Sequence, residues 1–306
     1  MDIENTEAND AQIPDDQNVA SSCSDTTSLI GKDLHNFARE IWHLNRSITG
    51  EGLRQTLKQI QKKIPDLKIK SVKTGTQVFD WTVPKEWLVR KAYIITPSGE
   101  KICDVNYNNL HLVSYSRPFS GTLTLDELQT HLHSLPEMPN AIPYVTSYYQ
   151  ESWGFCIKHS DREKLEPGAY KICVDTELFD GELNYGELRL IGKKTEEVLL
   201  STYICHPSLA NNELSGPTVL TYITKWLMQN KKNKYSYRIV FVPETIGSIT
   251  YINKNIKNLK KNVIAGFNLS CLGDENAYSY LPSRMGNTLS DDVAKHVLSH
   301  LDSNYI

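Results

Sequence analysis

The stretch Ser201–Pro217, STYICHPSLANNELSGP, places His206 directly after an apolar run, Val198–Cys205, and Glu213 seven residues further on. A His just past a strand, followed by an acidic residue in a turn-rich loop, is how an α/β enzyme presents a metal ligand or a base. Two more acidic residues follow apolar runs in the same way: Glu244 after Tyr237–Val242, and Asp274 after Val263–Leu269. One His with several carboxylates suits zinc or another divalent ion, and a carboxylate left free of the ion suits a general base. Each residue also has a plainer role. His206 could cap its strand, Glu213 could sit at a helix N-terminus where the dipole favours it, Asp274 could be a turn residue, and Glu244 could pair with a buried Arg.

These residues need elements that bring them together. Ser215 opens a helical pattern with Val219, Ile223 and Leu227 on one face, so the central stretch reads as strand, loop, helix. The apolar runs around 237–242 and 263–269 are each followed by a helical segment, at about 248–259 and 289–301. A strand pair at about 182–190 and 198–205 precedes them. Strand–helix alternation predicts an α/β fold with a doubly wound, mainly parallel sheet. In such sheets ligands bind outside the carboxyl ends of the strands, which is where His206, Glu244 and Asp274 converge, with Glu213 joining from its loop.

The texture changes elsewhere. Residues 1–32 are polar and acidic and read as a disordered tail. Two helical patterns follow, one with Leu34, Phe37, Ala38, Ile41 and Trp42, the other with Leu53, Leu57, Ile60 and Ile64; Arg46, in the loop between them, reads as a solvated side chain. Residues 79–182 form short β-like runs separated by turn signals such as Pro97-Ser98-Gly99, with a capping box at Thr124 and Glu127. Trp81, Trp87, Trp153, Tyr144, Tyr148 and Tyr149 concentrate there, as core or as the wall of a cleft. This is a smaller, β-rich module.

Composition narrows the class. The 306 residues are 40% hydrophobic and 23% charged, with a net charge of -3, as in an ordinary globular protein with a sizeable core. No basic stripe argues for nucleic acid, and no apolar run is long enough for a membrane span. No signal peptide is evident, and six cysteines without a CxxC spacing read as reduced thiols, so the expected setting is the cytoplasm.

The phrases NRSITGEGLRQTL, VFDWTVPKEW, IPYVTSYYQESWGFC, STYICHPSLANNELSGP, VPETIGSITYI and GDENAYSYLPSR together resemble a bacterial aminopeptidase-like family. Its members have a zinc-exopeptidase-like domain interrupted by a nested domain of unknown function, and often accompany surface polysaccharide synthesis. The resemblance runs from about residue 33 to the end. It implies an aminopeptidase-like α/β domain made of 33–78 and 183–306, with 79–182 as the inserted β-rich domain. It further implies that the family continues past Ile306 into another catalytic-domain segment and a small winged helix. The zinc-aminopeptidase pattern is met at His206 and, for the general base, at Glu244. It is substituted by Asn212 where a bridging Asp is usual, by Thr245 where a second Glu is usual, and by Ser270, with Asp274 four residues later, where an Asp is usual.

The expected function is metal-dependent hydrolysis of an amide bond in a peptide-like or N-acylated substrate. His206, Glu213 and Asp274 would hold zinc as a single ion, Glu244 would be the base, and Asn212 and Arg284 would contact substrate. The alternative is a non-catalytic binding or assembly protein on a degenerate aminopeptidase scaffold, linked to surface polysaccharide synthesis. A sheet that stops at its third long strand leaves an open edge, so self-association into a homo-oligomer is expected.

Overall fold

The computed structural model describes residues 17–230, 232–273, 277–302 and 305–306, and side chains from residue 29 onward. In chain order, helices α1 (Gln17–Trp42) and α2 (Glu51–Lys63) lead to strand β1 (Lys68–Lys73). Next come β2 (Gln77–Val78), β3 (Trp81–Thr82), β4 (Glu86–Ile95), β5 (Lys101–Ile102) and β6 (Phe119–Thr124). They are followed by α3 (Leu125–Gln129), β7 (Leu132–His133), β8 (Phe155–Cys156), α4 (His159–Arg162) and β9 (Ala169–Phe179). The last third holds β10 (Glu182–Leu190), β11 (Glu197–Tyr203), α5 (Ser215–Gln229), β12 (Ser236–Val242), α6 (Ile246–Asn262), β13 (Val263–Asn268) and α7 (Leu289–Leu301).

The apolar spacings of the sequence become buried faces. In α2, Leu53, Leu57 and Ile60 are fully buried, each contributing about 1.5 to 3 kcal/mol of burial. The capping box forms at α3, where the Thr124 side chain accepts from the Glu127 amide and the Glu127 carboxylate from the Thr124 amide. Disorder is expected through residue 32, yet residues 17–32 lie in α1, and residues 1–16 are outside the described set. Leu29 and Ile30 are exposed there, so those turns extend from the packed part of the helix at Phe37 and Ile41. Once a helix is nucleated, each further residue adds a hydrogen bond at little cost.

The central sheet has five strands in the order β1-β10-β12-β11-β13. The pairs β11·β12 and β11·β13 are parallel, whereas β1·β10 and β10·β12 are antiparallel. The sheet is therefore mixed: the expectation of parallel strands holds for β11, β12 and β13 and gives way at β1 and β10. Period-2 alternation shows that a segment is a strand but not its direction. Helices cover both faces, since consecutive residues Ile239, Val240, Phe241 and Val242 of β12 are all buried. A second sheet, β5-β4-β9-β6, is made from strands that lie between β1 and β10 in the chain.

One polar side chain crosses the middle of the central sheet. Arg238 on β12 is buried and donates from Nη1 to Glu187 Oε1 on β10 (2.8 Å) and from Nε to Glu197 Oε2 on β11 (2.5 Å). The Tyr251 hydroxyl of α6 donates to the same Glu187 oxygen at 2.6 Å. Lys70 on β1 closes the set with an ion pair to Glu187. Burial opposes the Arg238 charge, but the carboxylates outweigh it and hold the guanidinium above its ordinary range.

Candidate functional site

Three strand ends supply the site. Leaving β11, the chain passes through Ile204 and Cys205 to His206 and then to a π-helical turn, Ala210–Leu214, before α5. Leaving β12, it turns at Pro243 and Glu244 into α6. Leaving β13, it passes Leu269, Ser270 and Cys271. Gly216 lets α5 begin against these ends: a Cβ there would lie 2.3 Å from Thr202 Oγ1 and 2.5 Å from the Leu269 carbonyl oxygen.

Each exit carries a strained residue. Ser208, Thr245 and Cys271 have φ of 48°, 55° and 53°. Thr245, with ψ of -85°, is β-branched and has the least reason to accept that conformation. Non-glycine residues held this way persist only where surrounding structure fixes them, and they cluster at functional sites.

The strand-end residues meet around the His206 ring. Nε2 shares a hydrogen bond of 2.9 Å with Glu244 Oε2, the carboxylate accepting. Nδ1 lies 3.0 Å from Asn212 Oδ1 and 3.3 Å from Glu213 Oε2. The rings of Tyr144 and Tyr203 flank it, with centroids at 4.9 and 5.4 Å. The Tyr203 hydroxyl donates to the Asn212 carbonyl at 3.0 Å, which ties the π-helical turn to β11. Glu244 is 52% exposed, so its carboxylate reaches solvent, whereas Glu213 is fully buried.

Glu213 is the anomaly. Neither of its carboxylate oxygens accepts a hydrogen bond of good geometry, although the backbone amides of His206 and Cys205 lie close enough to favour its charge. Burial pushes its carboxyl up to about 8, with Arg46 pulling the other way. Arg46 is itself buried, not solvated: its side chain is 1% exposed, and Nε lies 4.0 Å from Glu213 Oε1. Its Nε donates to the His206 carbonyl at 2.9 Å and its Nη1 to the Ile41 carbonyl, while Nη2 has no partner. Burial lowers the Arg46 pKa and the charge of Glu213 raises it, with burial prevailing.

The loop that carries Arg46 is buried from residue 46 to 50, where the segment at Ser114 and Tyr115 and the start of β4 at Trp87 close over it. The Ser47 hydroxyl meets the Ser114 hydroxyl at 2.9 Å, and Thr49 Oγ1 meets the Tyr115 hydroxyl at 2.5 Å. Arg46 was thus missed by sequence reasoning, because its burial comes from contacts of its loop with Ser114 and Tyr115. Cys205 was missed as well. Its sulfur, the His206 ring and the Glu213 carboxylate bring three donor atoms within 4.8 Å of one another. Burial pushes the Cys205 thiol well up, so it stays protonated until an ion displaces the proton.

Of the remaining candidates, Asn212 lies against His206, and Asp274 falls outside the described residues. Arg284 is exposed in the segment ahead of α7. Among the aromatics, Trp87 is core, and Trp153 stacks between Phe119 and His131 at 4.2 and 3.8 Å. Tyr144 faces the site.

The donor set fits a divalent ion. At ordinary zinc–nitrogen and zinc–oxygen lengths, two ligands of a tetrahedral ion lie about 3.3 Å apart. His206 Nδ1 and Glu213 Oε2 are at that separation, 3.3 Å, and an ion between them would stabilise a buried carboxylate that Arg46, 4.0 Å away, offsets only in part.

Comparisons with known proteins agree with this architecture. The profile of a family described as a domain of unknown function, DUF4910, matches residues 35–306. A Clostridium acetobutylicum protein named for polysaccharide biosynthesis and an aminopeptidase-like domain is 45% identical over 279 residues. That alignment covers 91% of this chain and 64% of the relative, so the chain spans less than two thirds of the relative's length. A crystal structure of a candidate peptidase from C. acetobutylicum superposes with a TM-score of 0.88 at 43% identity, covering 94% of this chain and 68% of that one. The zinc aminopeptidase BSAP of Bacillus subtilis superposes with a TM-score of 0.58 at 12% identity, covering 88% of this chain and 77% of that one, a likeness of fold.

Proposed function

This chain belongs to the DUF4910 family, and from that membership we propose that it hydrolyses an amide bond with the help of one divalent ion, zinc being the best match. The substrate is peptide-like or N-acylated. The relative's name supports the second class in particular, an N-acylated saccharide of polysaccharide synthesis.

The observation that carries this reading is the pair His206 and Glu213, two donor atoms 3.3 Å apart with the carboxylate buried and without a hydrogen bond of good geometry. They would hold the ion, with Cys205 as a third donor and Asp274 as the sequence-based fourth. Zinc, when bound, supplies the Lewis acidity that polarises the scissile carbonyl. Glu244, half exposed and fixed through Oε2 by His206, takes a proton from the attacking water and returns it to the leaving amine. Tyr144 and Tyr203 shield the flanks of the imidazole from solvent. Asn212 and Arg284 remain candidates for substrate contact.

A second reading, a non-catalytic binding or assembly protein, is favoured by Arg46. It places a fixed cation 4.0 Å from Glu213, so the buried charge is already opposed before any ion arrives.

Beyond the site, among the described residues no helix is long and apolar enough to cross a membrane. The five described cysteines are free, which supports a reducing, cytoplasmic setting. Exposed Leu289, Val293, Val297 and Leu301 along one side of α7 support self-association.

Metal analysis tests the reading. The purified chain, stripped and then supplied with zinc, is expected to hold one ion per chain, and His206→Ala none. Absence of uptake by the unaltered chain overturns the hydrolase reading and leaves the second.

A further inference from the structure

Lysines gather at the end of the central sheet away from His206. Glu197 of β11 stands opposite Ser236 of β12 and Val263 of β13, so these adjacent strands start level with one another. The segments that lead into them carry Lys193 and Lys194, Lys232 and Lys234, and Lys260 and Lys261, all exposed. Neighbouring strands lie about 4.8 Å apart, so the three pairs share one patch. No basic stripe shows in the sequence, because only the strand order brings these pairs together. A lysine pair suits the end of a helix, as at α6. Lys193 and Lys194 follow strand β10, where no helix dipole favours them.

Carboxylates do not offset the patch. In these segments the acidic side chains are Glu196, 3.7 Å from Lys194, and Glu197, which is buried on Arg238. The other lysines of the patch form no ion pair among the described residues. Lys194 and Lys234 lie over the Tyr235 ring, each 5.5 Å from its centroid, which holds both ammonium groups together. Two large apolar side chains stand at the same end. Ile191 is 75% exposed and precedes Gly192, whose amide donates to Ser236 Oγ at 3.1 Å. Trp226 is 63% exposed in the last turn of α5. The Asn233 side chain ties that turn to the patch by donating to the Leu227 carbonyl at 2.9 Å. One exposed apolar side chain is ordinary, but two beside a cationic cluster mark an interface.

We infer that this face docks on an anionic bilayer, the lysines meeting the lipid headgroups while Ile191 and Trp226 enter the headgroup layer. A basic patch or a small apolar insertion alone binds a bilayer weakly, and the two together give a firmer, reversible hold. Trp favours this water–lipid boundary. A nucleic acid fits less well. Its sites use arginine forks and open stacking rings, whereas the free cations here are lysines and the Tyr235 ring is already covered. β11 has 7 residues, so the docked chain would hold His206 roughly 25 Å from the lipid, facing the aqueous side. Docking here needs no ion and no turnover, so it holds or fails separately from the hydrolase reading.

The test is flotation of the full chain with vesicles, one set of pure phosphatidylcholine and one of equal parts phosphatidylcholine and phosphatidylglycerol. The chain is expected to float with the anionic vesicles alone and to be released as salt is raised. Lys260→Glu with Lys261→Glu should weaken partition by roughly thirtyfold or more. Trp226→Ala with Ile191→Ser should weaken it by about tenfold. Melting temperatures should hold in both, since these side chains are exposed. Lys91→Glu with Lys171→Glu, exposed on the second sheet, is the control and should float nearly as well as the unaltered chain. No flotation of the unaltered chain, an equal loss in the control, or full binding by the Lys260 and Lys261 variant would each overturn docking at this face. Binding that ignores Trp226 and Ile191 and is displaced by duplex DNA would make the patch a nucleic-acid site and so overturn the bilayer.

Discussion

Arg46 Nε lies 4.0 Å from Glu213 Oε1, and the two side chains are 1% and 0% exposed. The pair joins the loop between α1 and α2 to the turn that carries the candidate metal ligand. It is close enough to oppose the carboxylate charge and too far for a hydrogen bond.

Above about pH 8, where the Glu213 carboxyl is ionised, breaking this pair from one side leaves an uncompensated buried charge. Arg46→Met is expected to destabilise the fold by roughly 3 to 5 kcal/mol, since the bonds to the Ile41 and His206 carbonyls go with it. Adding Glu213→Gln to Arg46→Met should restore a good part of that loss. Urea unfolding of the two single variants and the double variant measures the coupling, and strict additivity would refute it.

Glu213 also fixes the sign of a pH effect. Burial raises its carboxyl from 4.5 to about 8 in the folded state. Between those values the folded chain keeps a proton that the unfolded chain has released. In chelator, stability from this group is complete at the acid end and falls as pH rises through the window, by roughly 2 to 5 kcal/mol in total. Glu213→Gln should flatten the slope. Thermal melts at several pH values, with and without the variant, check the direction.

Glu244→Gln keeps the hydrogen-bonding shape at His206 while removing the base. Turnover of a responsive amide substrate is expected to drop roughly a hundred- to ten-thousand-fold, with ion uptake unchanged. A parallel loss of the ion would mean that Glu244 is a ligand.

Thr245 stores strain at the exit of β12. Thr245→Gly, free to adopt φ of 55°, should raise stability by about 1 kcal/mol in calorimetric unfolding. Where the strained turn aims Glu244, the gain will come with reduced turnover.

Much of this site was legible because strand ends can be read from apolar runs. His206 and Glu244 each follow such a run, Glu213 lies in the loop after the first, and the α/β topology does the rest. Arg46 was not legible, since its burial depends on Ser114 and Tyr115, more than sixty residues away, closing over its loop. The antiparallel setting of β1 and β10 was hidden for the reason given above, that alternation carries no direction. Cys205 looked like the last residue of a strand, and only its contact with Glu213 across the π-helical turn makes it a donor.

The ion pairs of Arg238 bear on how the chain avoids wrong sheets. Arg238 stands opposite Arg189 of β10 and opposite Leu199 of β11, with Glu187 and Glu197 close on its face. Shift β12 by one residue and its guanidinium moves to the other face. Glu187 and Glu197 then lose their buried partner and keep only the half-exposed Lys70 and Arg189, and a cation enters an apolar layer. Apolar side chains such as Ile239 and Val240 would tolerate that slip far better, since one is nearly as good as the other. The charged cluster therefore acts as an error check on strand pairing. Register-shifted sheets are disfavoured by several kcal/mol before the strand ends, and the site upon them, are in place.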